Sequence, residues 1–154
     1  PLVDCDRSNR MDVLVALDGS DRSEAALEHA LATFPGATIT GVFVIDPFGS
    51  YADDAPYPDR LDDWIRTVES RAADVFERAQ ATAAERETTV ETVTRRGKPA
   101  REIAALAEEG GFDHVVVGDH GSHGIADALL GNVAAAVVER SPVTVTVVKG
   151  PAEE

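Results

Sequence analysis

Glycines, aspartates and an asparagine that follow short apolar runs carry most of the chemistry this chain has to offer. The fullest stretch reads Val117-Gly118-Asp119-His120-Gly121-Ser122-His123-Gly124-Ile125-Ala126-Asp127-Ala128-Leu129-Leu130-Gly131-Asn132-Val133. Glycines directly after a strand let backbone N–H groups approach an anion closely. Asn132 stands immediately before an apolar helical stretch and reads as its N-cap. The start of such a helix presents unpaired N–H groups and the positive end of the helix dipole, which suits phosphate. A nucleotide phosphate site is one reading and a tight turn is the other; spacing alone leaves both open. The segment is not a Walker A loop, because no G-x-x-x-x-G-K-[ST] occurs. Nor is it a G-x-G-x-x-G fingerprint, because its glycines run G-x-x-G-x-x-G.

Other constellations are weaker. His120 and His123 lie three apart beside Asp119 and Asp127, and these are legitimate metal ligands. Such spacing in a loop is common by chance, a polar loop or a phosphate contact accounts for them better, and no metal site is expected. Asp18 with Ser20, and Ser122 with His123, invite a hydrolase reading. No G-x-S-x-G elbow accompanies them, and sequence neighbours rarely reach triad geometry. Turn chemistry and helix capping explain them better. A phosphoacceptor receiver domain would use Asp18 and Lys149, but it also needs an acid at the end of the third strand. That strand ends in Thr94-Arg95-Arg96.

The elements that must position these residues follow from hydrophobic periodicity. Residues 12–17 (DVLVAL) form a buried strand that ends in Asp18-Gly19-Ser20-Asp21, with Ser20 or Ser23 available to cap the next helix. Ala25, Ala26, Leu27, Ala30 and Leu31 give that helix an apolar face, and Pro35-Gly36 stops it. A second strand spans 38–45. The segment from Phe48 to Arg60 has loop composition. A long amphipathic helix is predicted over 61–86 from Leu61, Trp64, Ile65, Val68, Ala72, Val75, Phe76, Ala79 and Ala83. A third strand is predicted over 88–94, then a turn through Arg95 to Lys98, with Pro99 at a first helical position. The fourth strand (114–117) runs into the glycine-rich stretch. A last helix spans 133–140, and the last strand runs from Val143 to Val148. Strict alternation of strands and helices requires parallel pairing with helical crossovers. The expected fold is α/β, a five-stranded doubly wound parallel sheet with helices on both faces. Ligands of such sheets sit beyond the carboxyl ends of the strands, where strand order reverses.

Composition narrows the partners. The chain has 154 residues, 28 acidic against 14 basic, and a formal net charge of −14. That charge repels nucleic-acid phosphates and anionic membranes, and the longest basic cluster is only Arg95-Arg96-Gly97-Lys98. No apolar run approaches the roughly 18–20 residues that span a bilayer. Pro1 to Arg10 is polar, so no secretory signal is expected there, and Cys5 alone forms no internal disulfide. These features predict a cytoplasmic protein with one domain over residues 11–150, flanked by a polar tail (1–10) and an acidic one (151–154). Only two of the 14 basic residues are lysines, Lys98 and Lys149. An acid-rich, lysine-poor surface fits a halophilic setting, where salt near 1 M shortens the Debye length to about 3 Å.

The spacing Gly118-x2-Gly121-x9-Gly131 resembles the G-2x-G-9x-G-(S/T) nucleotide-binding motif of the universal stress protein (UspA-like) family. The resemblance extends from Asp12 to Lys149. It includes the opening VLVALDGSDRSEAAL, Phe43-Val44-Ile45-Asp46, Gly97-Lys98-Pro99-Ala100, Phe112 to Gly118, and the closing Ser141-Pro142-Val143.

This resemblance implies a Rossmann-like sheet of order 3-2-1-4-5 and a stress-response regulatory protein that binds ATP or a related adenine nucleotide. It places Asp18, with Ala16 before it, beside adenine and ribose, and the backbone at Val44 on the adenine edge. Gly118, Gly121 and Gly131 would cradle the phosphates, and Asn132 would stand where the family has Ser or Thr. Val117, His120 and Val133 fall at neighbouring contact positions. The resemblance also implies a homodimer through the last strand, Val143 to Val148, which is apolar on both alternations. Asp119 and Asp127 lie inside the motif, and no Lys or Arg occurs between Gly118 and Asn132. Their repulsion of a triphosphate would call for Mg2+ or another cation. No residue set supports a definite reaction, so an enzyme is not expected, although slow ATP hydrolysis stays open. The competing function is a dimeric interaction scaffold of the same fold that has lost its nucleotide.

Overall fold

A computed structural model describes residues 11–46, 61–119 and 131–149. The Phe48 to Arg60 segment, His120, Gly121, His123 and Asp127 lie outside the described residues, as do both tails.

The elements follow the alternation read from the sequence. They are β1 (Asp12–Ala16), α1 (Asp21–Thr33), β2 (Thr38–Ile45), α2 (Leu61–Glu85), β3 (Val90–Arg96), α3 (Pro99–Glu109), β4 (His114–Gly118), α4 (Asn132–Arg140) and β5 (Thr144–Val148). The five strands are parallel throughout, in the order β3-β2-β1-β4-β5. The order reverses at β1, which pairs with β2 on one side and β4 on the other.

Alternation along β1 builds both halves of the core. Val13 and Val15 pack under α1 and α2, together with Ala26, Leu27, Ala30 and Leu31 of α1 and Val68, Ala72, Val75, Ala79 and Ala83 of α2. Leu14 points to the other face, against Ala100, Ile103, Leu106 and Ala107 of α3 and Ala134 and Val137 of α4. A strand covered on both faces has no polar side, which is why its sequence is a continuous apolar run. The predicted stripe of α2 is buried from Val68 to Ala83, and its Phe76 meets Phe43 of β2 edge-on with ring centroids 6.5 Å apart.

Some boundaries move. β3 continues through Arg95 and Arg96, where a turn was expected, because Val44 and Ile45 of β2 pair with them. The strand enters later than predicted, after a turn in which Glu87 has φ 60°. Asn132 is not the cap of α4. Gly131 takes that place with extended dihedrals (φ −67°, ψ 166°), and Asn132 is the first helical residue. The Gly131 N–H donates to the Asp119 carbonyl at 2.6 Å, which fixes Gly131 as the last non-helical residue.

The sheet edges differ in kind. On β3, Glu91 and Arg96 are exposed, and Arg95 reaches Glu102 of α3 (Nε to Oε1 3.2 Å). β5 carries no charged residue between Thr144 and Val148, and most of it is half-buried. Among the described residues, no helix is long and apolar enough to cross a membrane.

At the opposite, amino end of the sheet, His114 of β4 shares a 2.6 Å hydrogen bond with Thr146 of β5 and lies 4.9 Å from the Phe34 ring. Burial lowers its pKa below the usual 6.5, and the positive charge of a protonated His29 adds to the effect. The unfolded chain therefore takes up the proton first on acidification. Stability should fall as pH drops through about 6.5 and level off below the folded-state pKa. Urea unfolding of wild type and His114→Gln across that window checks this, with the variant expected to show a flatter profile.

Candidate functional site

The turn after β1 is the first component. Ser20 caps α1, its Oγ accepting from the Ser23 N–H at 3.1 Å. Asp18 Oδ1 accepts from the Ser20 N–H (2.9 Å) and from the Ser20 hydroxyl (2.6 Å). The Asp18 N–H in turn donates to Ser23 Oγ at 3.3 Å. Gly19 between them has φ +86°, a conformation that L side chains rarely adopt. The sequence DGSDRS thus folds into a linked set of bonds that holds the carboxylate of Asp18, two residues beyond the end of β1, to Ser20. Ser20→Ala should remove the cap and one of the two bonds to Asp18. The expected loss is about 1 kcal/mol, read from the shift in urea midpoint.

The second component is the far side of the strand-order reversal. Val15 of β1 lies in register with Val116 of β4, so Ala16 and Val117 end side by side. Ala16 also pairs with Val42, two residues before Val44. Ala16 and Val44 are partly buried on the face covered by α3 and α4, the face on which Val117 is buried. Val117 as a whole is only 2% exposed.

The third component is the start of α4. No side chain among the described residues caps this helix. The first turn of an α-helix leaves N–H groups without intrahelical partners. Gly131 gives its N–H to Asp119, and the next amides, those of Asn132, Val133 and Ala134, have no intrahelical acceptor. The side chains of Asn132 and Val133 are exposed, while Ala134 is buried against the core.

Gly118 and Asp119 each have a structural part that the sequence reading did not include. A Cβ on Gly118 would lie 2.8 Å from the carbonyl oxygen of Arg22, so this glycine admits the first turn of α1 against the end of β4. Packing against α1 by itself already calls for a glycine here. Asp119 is buried, and its carboxylate accepts from Arg22 Nη1 at 2.7 Å. The cation missing from the motif in sequence is therefore supplied from α1, 97 residues away. Asp119 does not stand as the uncompensated charge that its place in the motif suggested. The signal available in sequence was an acid at the end of a buried strand, which needs a partner, and an arginine in the first turn of a helix starting at the same sheet edge.

Of the expected site residues, Ala16, Asp18, Val44, Val117, Gly118, Gly131, Asn132 and Val133 all belong to the carboxyl edge of the sheet, around the β1–β4 reversal. His120 and Gly121 lie outside the described residues. The sequence model of the Universal stress protein family matches residues 9–149. This chain belongs to the universal stress protein family. The universal stress protein YxiE of Bacillus subtilis (strain 168) is 33% identical over 144 residues, covering 89% of this chain and 97% of its own. Two solved structures share the fold. Hypothetical protein MJ0577 superposes with a TM-score of 0.78 at 25% identity, over 93% of this chain and 98% of its own. A universal stress protein in complex with cAMP gives 0.67 at 28% identity, over 92% of this chain and 98% of its own.

Proposed function

We propose that this universal stress protein is a stress-response regulator that binds ATP or a related adenine nucleotide at the carboxyl edge of its sheet. The observation that carries the reading is the start of α4, uncapped by any described side chain and tied to the end of β4 by the Gly131-to-Asp119 bond. Three successive amides there suit phosphate oxygens, and the Asn132 side chain can donate as a serine or threonine would. Asp18, held by Ser20, stands at the next strand end, where a ribose hydroxyl needs an acceptor. Ala16 and the backbone of Val44 would bound the adenine. His120 and Gly121 complete the motif by spacing. A relative of 28% identity holds cAMP, which supports an adenine ligand. Mg2+ would accompany a triphosphate. The role is binding and signalling, with no reaction assigned.

The same reading makes the protein a cytoplasmic homodimer paired through β5 and suited to a high-salt interior. A strand edge without charge supports pairing with a second copy. Light scattering in molar salt should give twice the chain mass, and a monomer at every concentration would remove the dimer.

The deciding measurement is the small-molecule content of the purified protein, released by denaturation and identified by mass. A near-stoichiometric adenine nucleotide is the expected result. No retained nucleotide, and no binding of added ATP with or without Mg2+ in molar salt, would reject the function and leave an interaction scaffold.

A further inference from the structure

We infer that Lys149 is the cation that selects phosphorylated ligands at this site, an inference that rests on the adenine-nucleotide reading above. The fold brings this lysine to the motif. β5 lies in register with β4, and Val148 is the partner of Gly118. Lys149 is therefore the residue beside Asp119, one step past that last pair. The Asp119 N–H donates to the Val148 carbonyl (2.9 Å), and the Asp119 carbonyl accepts from the Gly131 N–H (2.6 Å). Two backbone hydrogen bonds in series thus join the end of β5 to the cap of α4, and Lys149 follows directly on the first of them. Alternation along the strand adds the face. Val145 and Val147 pack in one cluster with Ala134 of α4, while Val148 packs on the other side of the sheet. Residue 149 continues the first set, on the face where α4 begins.

The charges single it out. The motif has no Lys or Arg between Gly118 and Asn132, and the whole chain stands at −14. Other basic residues near this edge of the sheet are engaged by acids. Arg95 holds Glu102 and Glu109, Arg96 holds Glu69, and Arg22 is bonded to Asp119. Lys149 is exposed and forms no ion pair among the described residues. Its ammonium is a compact point charge with three donors on a flexible four-carbon stem, a form of cation that serves phosphate oxygens. Neighbouring strands are about 4.8 Å apart, a gap that the stem spans. A nucleotide whose phosphates meet the first amides of α4 would have this ammonium within reach. Adenosine, which carries no phosphate, would gain nothing from it. The chain's other lysine, Lys98, follows β3, three strands away from β4, and serves as the internal comparison.

The test compares the affinities of adenosine and ATP by titration calorimetry, at one ionic strength and one Mg2+ concentration, for wild type, Lys149→Gln, Lys149→Arg and Lys98→Gln. Lys149→Gln should bind adenosine as wild type does and ATP about fivefold more weakly, the upper end for an exposed ion pair. Lys149→Arg keeps the charge and should keep the wild-type preference for ATP. Lys98→Gln removes the same charge from the far side of the sheet and should leave that preference in place. Both lysines are exposed, so all variants are expected to keep the wild-type urea midpoint. A preference for ATP that is unchanged in Lys149→Gln, or lowered as much by Lys149→Arg or by Lys98→Gln, overturns the inference and leaves the nucleotide site standing. Equal weakening of both ligands in Lys149→Gln overturns it as well, because a structural role would act on each alike. Wild-type protein that binds neither ligand overturns the nucleotide reading itself, and the lysine's task with it.

Discussion

Gly118→Ala is expected to destabilise the fold by about 1–3 kcal/mol before any ligand is considered. The new methyl would sit 2.8 Å from the carbonyl oxygen of Arg22 and 2.9 Å from its carbonyl carbon and Cβ. Two of these three atoms are backbone, so no flexible side chain can swing away. Relief requires α1 to lift from β4, and α1 also carries the Ser20 cap and the arginine that neutralises Asp119. The urea midpoint of ligand-free protein should fall, and nucleotide retention should fall with it. A variant of wild-type stability that had lost only nucleotide would place the demand for glycine at the phosphate instead.

Leu14→Ala should cost about 2–5 kcal/mol, the range for deleting a buried leucine from a core that cannot collapse around the gap. Leu14 is fully buried in the central strand, on the face where α3 and α4 pack. Its neighbours Val42 and Val115 belong to the two flanking strands and are held by ladder bonds on both sides. They cannot move inward without breaking the sheet. The same face carries Ala16, Val44 and Val117 at its carboxyl end, so the loss should be accompanied by weaker nucleotide binding. Equilibrium unfolding with and without added ATP separates the two effects. A loss under about 1 kcal/mol would mean that the site repacks.

The sequence made the fold plain for a physical reason. Five short β-branched runs separated by helical stripes admit essentially one architecture, because parallel neighbours need a crossover and crossovers are right-handed. Strand ends were less legible where pairing decides them. Arg95 and Arg96 look like a turn on their own, yet β2 is long enough to hold them in register. Asn132 looks like a cap by residue type. The position is settled instead by a backbone bond from Gly131 to Asp119, which no propensity records. The carboxyl-edge cluster of Asp18, Gly118 and Gly131 was legible because spacing and strand ends coincide. The Arg22–Asp119 pair was not, since it joins residues 97 apart whose proximity exists only once β4 lies beside β1.

The unlike edges of the sheet bear on how large an assembly can grow. β3 presents Glu91 and Arg96 outward, and a foreign strand laid along it would have to bury those charges. β5 presents only threonines and valines. A molecule with two bare edges could add copies at both ends without limit and form a fibre. One with a single bare edge can join only one other copy through a twofold axis, and that union uses up both bare edges at once. Any growth by strand addition through β5 would therefore terminate at two.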